Sequence, residues 1–157
     1  MTSFKFSVNG LEAAPQGSKK YIGKGRMIEV SKRVKPWREL VKREASKIKQ
    51  PPIKGACYVE ATFRFKRPKA HYYTNGSLRT GAPRNVTIRR NDLDKLVRSS
   101  LDALSGITFV DDSLVTILTA KKRYCEEGEE VGADILVVEL EEYSGDRSVT
   151  LAETALP

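Results

Sequence analysis

Phe4, Phe6 and Val8 alternate with Lys5 and Ser7 until Asn9-Gly10, the period-two pattern of a half-buried strand closed by a turn. The text then becomes rich in Gly, Ser and Lys from Pro15 to Lys24, and Tyr21 to Val30 reads as a short hairpin or an extended loop. After Pro36 the period changes. Trp37, Leu40, Val41, Ala45 and Ile48 fall at i, i+3, i+4, i+8 and i+11, the apolar stripe of a basic amphipathic helix that Pro51-Pro52 prevents from continuing. From Tyr58 to Phe65 alternation returns, with Val59, Ala61, Phe63 and Phe65 on one face and Tyr58, Glu60, Thr62 and Arg64 on the other. Leu93, Leu96, Val97, Leu101 and Leu104 repeat the helical offsets, so a second helix runs from about Asp92 to Leu104 and stops at Ser105-Gly106. Val115 to Ala120 and Ile135 to Leu140 are rich in β-branched residues and flank the acidic turn Glu126 to Gly132, which reads as a terminal hairpin.

Residues 1–142 form one domain, and periodicity is lost beyond Tyr143, so 143–157 reads as a disordered tail. A chain of 157 residues buries a core without disulfides, and its two cysteines, Cys57 and Cys125, form no C-x-x-C pair. They read as buried or half-buried thiols. No apolar run approaches the roughly 18 residues of a membrane span, and no basic leader precedes an apolar block, which points to the cytoplasm.

Charge changes the picture. The net of +8 conceals two halves: residues 1–90 hold 22 Lys and Arg against 5 Glu and no Asp, whereas 91–157 hold 6 Lys and Arg against 15 acids. A basic surface draws in a polyanion by phosphate neutralisation and counterion release, so nucleic acid is the natural partner, with a merely soluble surface as the alternative. Lys19, Lys20, Lys24, Arg26, Lys69, Arg84, Arg89 and Arg90 are the candidate DNA-binding cations. The loop Lys66 to Arg90 is long enough to be functional or disordered and is expected to reach toward the ligand. Its His71, Tyr72 and Tyr73 either stack on bases or plug the core edge.

The acids resume as Asn91-Asp92-Leu93-Asp94 and, after the helix, Val110-Asp111-Asp112-Ser113. Residues i and i+2 on a helix diverge by about 200°, so Asp92 belongs at the N-cap and Asp94 in the first turn, both near the positive end of the helix dipole. The helix then returns the chain to Asp111 and Asp112 at the start of the next strand. Spacing does not decide whether this second pair meets the first. If it does, the crowded carboxylates call for a cation, and magnesium, with its oxygen ligands, suits phosphodiester hydrolysis. Taken singly, the same acids are an N-cap, a dipole partner and turn chemistry. Arg98 either pairs with Asp94 or holds the phosphate's developing charge, while Asp102 is expected on the solvent face.

The strings Asp92-Leu93-Asp94, Leu101-Asp102-Ala103-Leu104 and Asp111-Asp112-Ser113, in this order, resemble the RusA family of Holliday junction resolvases, often carried by phages and prophages. Pro15 to Lys20, the helix around Trp37 and the strand Tyr58 to Phe65 also fall in that family's order, so the resemblance spans most of residues 4–142. It implies a small α+β fold, a two-layer sandwich of a mixed or antiparallel sheet with two main helices, working as a symmetric homodimer that resolves four-way DNA junctions with magnesium, or manganese in its place, by nicking opposed strands in recombination and repair. By position, Asp92, Asp94 and Asp112 are implied as catalytic metal-binding acids, with Asp111 their neighbour. Better-known members carry a catalytic lysine where this chain has Arg98, which keeps the charge but not the compact titratable head. The alternatives are a non-catalytic nucleic-acid-binding module and a less selective flap or single-strand nuclease.

Overall fold

The computed structural model describes residues 1–17, 19–23, 26–29 and 32–142. The expected tail at 143–157 lies outside the described residues. Strands β1 (Ser3–Asn9), β4 (Cys57–Phe65), β5 (Val115–Tyr124) and β6 (Gly132–Glu139) form one mixed sheet in the order β1-β6-β4-β5. Strands β2 (Lys19–Gly23) and β3 (Arg26–Glu29) make a separate hairpin. Helices α1 (Val34–Ser46) and α2 (Leu93–Leu104) pack against each other over the sheet, giving the expected two-layer α+β fold.

The alternation in β1 and β4 sets the core. Phe4 and Val8 are buried with Val59, Ala61, Phe63 and Phe65 under Trp37, Val41 and Ala45 of α1 and Leu96 and Leu104 of α2. Pro36 sits in the first turn of α1, where its missing N–H costs nothing. The buried face of α2 also includes Ser99 and Ser100, which the apolar stripe does not mark. Their hydroxyls have work there: Trp37 Nε1 donates to Ser100 Oγ at 3.1 Å, and Ser99 Oγ donates to the Ala14 carbonyl at 2.6 Å. Both satisfy polar groups that burial would otherwise leave unpaired.

The terminal hairpin does not form. β5 and β6 flank β4 on its two edges: β6 lies antiparallel to β4 and to β1, whereas β5 lies parallel to β4. The physical reason lies in β4, whose residues are buried along nearly the whole strand and need a neighbour on each side. A parallel neighbour requires a crossover, and the Lys66 to Arg90 segment with α2 supplies it. At the start of β6, Gly132 has φ 145°, and a Cβ there would stand 1.7 Å from the Val8 carbonyl oxygen, so only glycine fits beside β1.

Candidate active site

The crossover decides where the acids lie. Asp92 is the N-cap of α2, with extended dihedrals (φ −64°, ψ 128°), and Asp94 is in the first turn, as the spacing requires. The Asp92 carboxylate makes no capping hydrogen bond; its partner is Lys95 Nζ at 3.3 Å, and its side chain is half exposed. Asp94 and Arg98 are both exposed, and neither makes an ion pair among the described residues. Of the two readings of Arg98, the pairing with Asp94 is therefore not formed, which leaves the guanidinium open to an anionic ligand.

Beside them, Asn91 is 3% exposed, and its Oδ1 is buried with no hydrogen-bond partner. Its backbone carbonyl accepts from Lys122 Nζ at 2.5 Å, which ties the start of α2 to the far end of β5. Sequence reading singled out neither residue. Asn91 carried one overlooked signal, a short amide directly preceding an acid at a helix start, whereas Lys122 looks like any other strand lysine.

Asp111 and Asp112 lie elsewhere. Phe109 bridges Ser105 and Ile53, Val110 N donates to the Ile53 carbonyl at 3.0 Å, and Asp112–Leu114 forms a 3-10 turn leading into Val115, which pairs with Cys57. This is the C-terminal end of α2. Asn91 is held at Lys122, seven strand residues beyond Val115, a span of about 23 Å at some 3.3 Å per residue. Within one protomer the two acidic pairs thus stand at opposite ends of α2, itself about 18 Å long. Among the described residues, no three His, Cys, Asp or Glu side chains gather to hold a metal.

The second pair is not uniform. Asp111 accepts from Ser113 N at 3.0 Å, and hydrogen bonds from Ser113 hold its carboxyl below the usual range. Asp111 is thereby committed to the turn. Asp112, the other exposed acid of this pair, carries no such bond and is the freer donor. Asp102 is half-buried rather than on the solvent face: it accepts from Gln16 Nε2 at 2.5 Å and pairs with Arg38 at 3.7 Å.

An open groove leads to Asn91, lined by Lys66, Lys69, Arg90 and Tyr72, with Glu12 its acid. Lys69 and Arg90 thus line the groove that reaches Asn91, and Arg89 is exposed beside Arg90. Arg84 is exposed but shared with Glu126 at 3.5 Å. The loop containing these residues is ordered by local contacts. His71 packs edge-on against Tyr124 with ring centroids 4.9 Å apart, and Arg67 donates to the Pro83 carbonyl at 2.6 Å. His71 therefore plugs the core edge, while Tyr72 and Tyr73 are exposed, Tyr73 with the Arg79 guanidinium 5.1 Å from its ring centroid. Gln16 N donates to the Lys95 carbonyl at 3.0 Å, so the chain entering β2 starts one helical turn from Asp92. Lys19, Lys20 and Arg26 lie on the backbone of β2 and β3, and Lys24 lies outside the described residues.

Two exposed carboxylates at a helix start, an unpartnered amide oxygen beside them and a cation-lined groove that reaches Asn91 make up the candidate site. The model of the family described as Endodeoxyribonuclease RusA matches residues 11–135, and the chain belongs to that family. The family's activity is endonucleolytic and directed at Holliday junctions, which makes this chain a nuclease of branched DNA. No curated protein matches the chain. No helix among the described residues is long and apolar enough to cross a membrane.

Proposed function

We propose that this nuclease resolves Holliday junctions by divalent-metal-dependent phosphodiester hydrolysis, acting as a homodimer whose two active sites nick opposed strands during recombination and repair. The observation that carries the reading is the state of the α2 N-terminus. Asp92 occupies a cap position without capping, Asp94 is free, and Asn91 offers a buried oxygen without a partner. A hard cation takes such oxygen donors, so these residues fit magnesium or manganese, with Asp92, Asp94 and Asn91 as its holders. When bound, the ion supplies Lewis-acid polarisation of the phosphate and a water of lowered pKa. The chain's own groups do the rest. Lys69 and Arg90 neutralise the incoming backbone, and Arg98 stands on the same helix one turn beyond Asp94 to stabilise phosphate charge.

The separation of Asp112 from Asp92 supports a site completed by a second copy of the chain, Asp112 being delivered from the partner. Cleavage of a labelled four-way junction, with and without chelator, tests the reading. The expected results are cleavage only with magnesium or manganese, and an Asp94→Asn variant that binds the junction without cutting it. Equal cleavage in chelator sinks the metal requirement, and preferential cutting of flaps over junctions selects the less discriminating nuclease. Mixing Asp94→Asn with Asp112→Asn protein restores one intact site per mixed dimer and is expected to nick a single strand. If the mixture stays inactive, the shared site is wrong.

A further inference from the structure

We propose that the free edge of β5 is the surface on which the second copy docks, strand against antiparallel strand across a two-fold axis. The proposal deepens the shared-site reading above and rests on it. In the sheet order β1-β6-β4-β5 only β1 and β5 are edges. β1 is blunted in the usual way, its exposed positions being Ser3, Lys5, Ser7 and Asn9. β5 is not. Thr116, Ile117, Leu118 and Thr119 are exposed in succession, with Ile117 at 42% and Leu118 at 44%, and Val110 just upstream at 53%. A ten-residue edge strand with apolar side chains open on both faces is a template for pairing that single-chain proteins avoid.

The backbone fixes the register. Tyr124 N donates outward to the Arg84 carbonyl at 2.8 Å, and Asn85 bridges Arg123, so the edge is already covered from residue 123 onward. Outward-pointing groups recur every second residue, which makes Lys122, Ala120 and Leu118 the outward positions of the uncovered stretch. The axis through the middle of that stretch passes at Leu118, so Leu118 faces its own copy and Ala120 lies level with the partner's Thr116, where β5 slips register against β4.

Charge agrees with this register. Asp111 and Asp112 precede β5, and Lys121, Lys122 and Arg123 end it. Antiparallel pairing about Leu118 sets the acids of each copy at the level of the bases of the other, twice over. The partner's Asp112 then arrives beside Lys122 to Tyr124. That is the level at which Lys122 holds Asn91, directly before Asp92. A parallel arrangement would set acid against acid instead, and docking through β1 would leave Asp112 far from α2's start.

The test uses the full chain. Leu118→Lys changes an exposed side chain, so folding is expected to be retained, as circular dichroism checks. Its dimer is expected to weaken by roughly a hundredfold or more, read by light scattering and sedimentation. In a Cys125→Ser background, Leu118→Cys is expected to form an intermolecular disulfide on oxidation, because facing residues about 5.5 Å apart suit that bond. Lys5→Cys on the opposite edge is not. An undiminished Leu118→Lys dimer, a cross-link at Lys5→Cys in place of Leu118→Cys, or a wild-type protein monomeric even on its junction overturns the interface. If such a misplaced dimer still cuts junctions and mixed variants still complement, the shared-site reading stands alone. If Leu118→Lys becomes monomeric yet cuts at the wild-type rate, the interface stands and the shared site falls.

Discussion

Replacing Asp92 by alanine separates a structural acid from a chemical one. A capping aspartate that accepts a backbone N–H costs roughly 0.5–2 kcal/mol when truncated to alanine. Here the carboxylate accepts none, and its one partner is Lys95 at 3.3 Å, with side chains 51% and 40% exposed. A pair so exposed contributes roughly 0.2–0.5 kcal/mol, and less in salt. The expected stability loss is therefore under about 0.5 kcal/mol, or about 1–2 °C in Tm for a domain of this size. Activity should respond on another scale. Loss of an acid holding the metal removes several kcal/mol of transition-state stabilisation, on the order of a 10²–10³-fold fall in cleavage. Urea unfolding and single-turnover junction cleavage on the same preparation give both numbers. A stability loss above about 1 kcal/mol, or cleavage within a few-fold of wild type, refutes the assignment and returns Asp92 to a helix-start role.

Three further outcomes follow from the geometry. Lys69→Ala and Arg90→Ala, which remove groove cations, should each lower the slope of log affinity against log salt by about 1, measured by junction titration at several salt concentrations. Glu129 is held down to about 2 by hydrogen bonds from the Arg123 guanidinium, at 2.6 and 2.8 Å, and from Glu126 N. Its folded value lies below its ordinary one, so its stabilisation is present above about pH 4.5 and is lost as pH falls toward 2. After allowance for screening this amounts to about 1 kcal/mol, read as the wild-type minus Glu129→Gln difference in urea midpoint between pH 5.5 and 2.5. Gly132→Ala should cost roughly 3 kcal/mol or more in equilibrium unfolding, because the added carbon meets the Val8 carbonyl, a backbone group locked in the sheet.

Periodicity made β1, α1, β4 and α2 legible, since each buries one face and the side-chain period reports it. Asp92's place at the helix start was legible too, because two acids at i and i+2 share a side only off the helix. Pairing partners were not. Val115 to Ala120 and Ile135 to Leu140 look like a hairpin because neighbours in sequence usually pair. No periodicity records that β4 is enclosed on both edges and takes one strand from each direction. The roles of Ser99, Ser100 and Asp102 were hidden for a related reason: their partners, Ala14, Trp37, Gln16 and Arg38, are more than 60 residues away.

The same topology accounts for the distance between the acidic pairs. In a strand-helix-strand crossover onto a parallel neighbour, the helix starts near the carboxyl ends of the strands and finishes near their amino ends. An acid at the start of α2 and an acid just before β5 are therefore separated by the length of the crossover, whatever loop joins them. The Ser105–Phe109 bridge and the Lys122–Asn91 bond fix the two ends in place, so no loop adjustment closes the gap. One protomer holds either a two-acid centre at Asp92 and Asp94 or two of the three acids of a shared centre. A two-fold axis perpendicular to β5 is the operation that turns the gap into a match, because it carries the amino end of one strand to the carboxyl end of its copy. The oligomeric state and the chemistry are thus one question in this fold: an obligate monomer that cuts junctions must do so without Asp112.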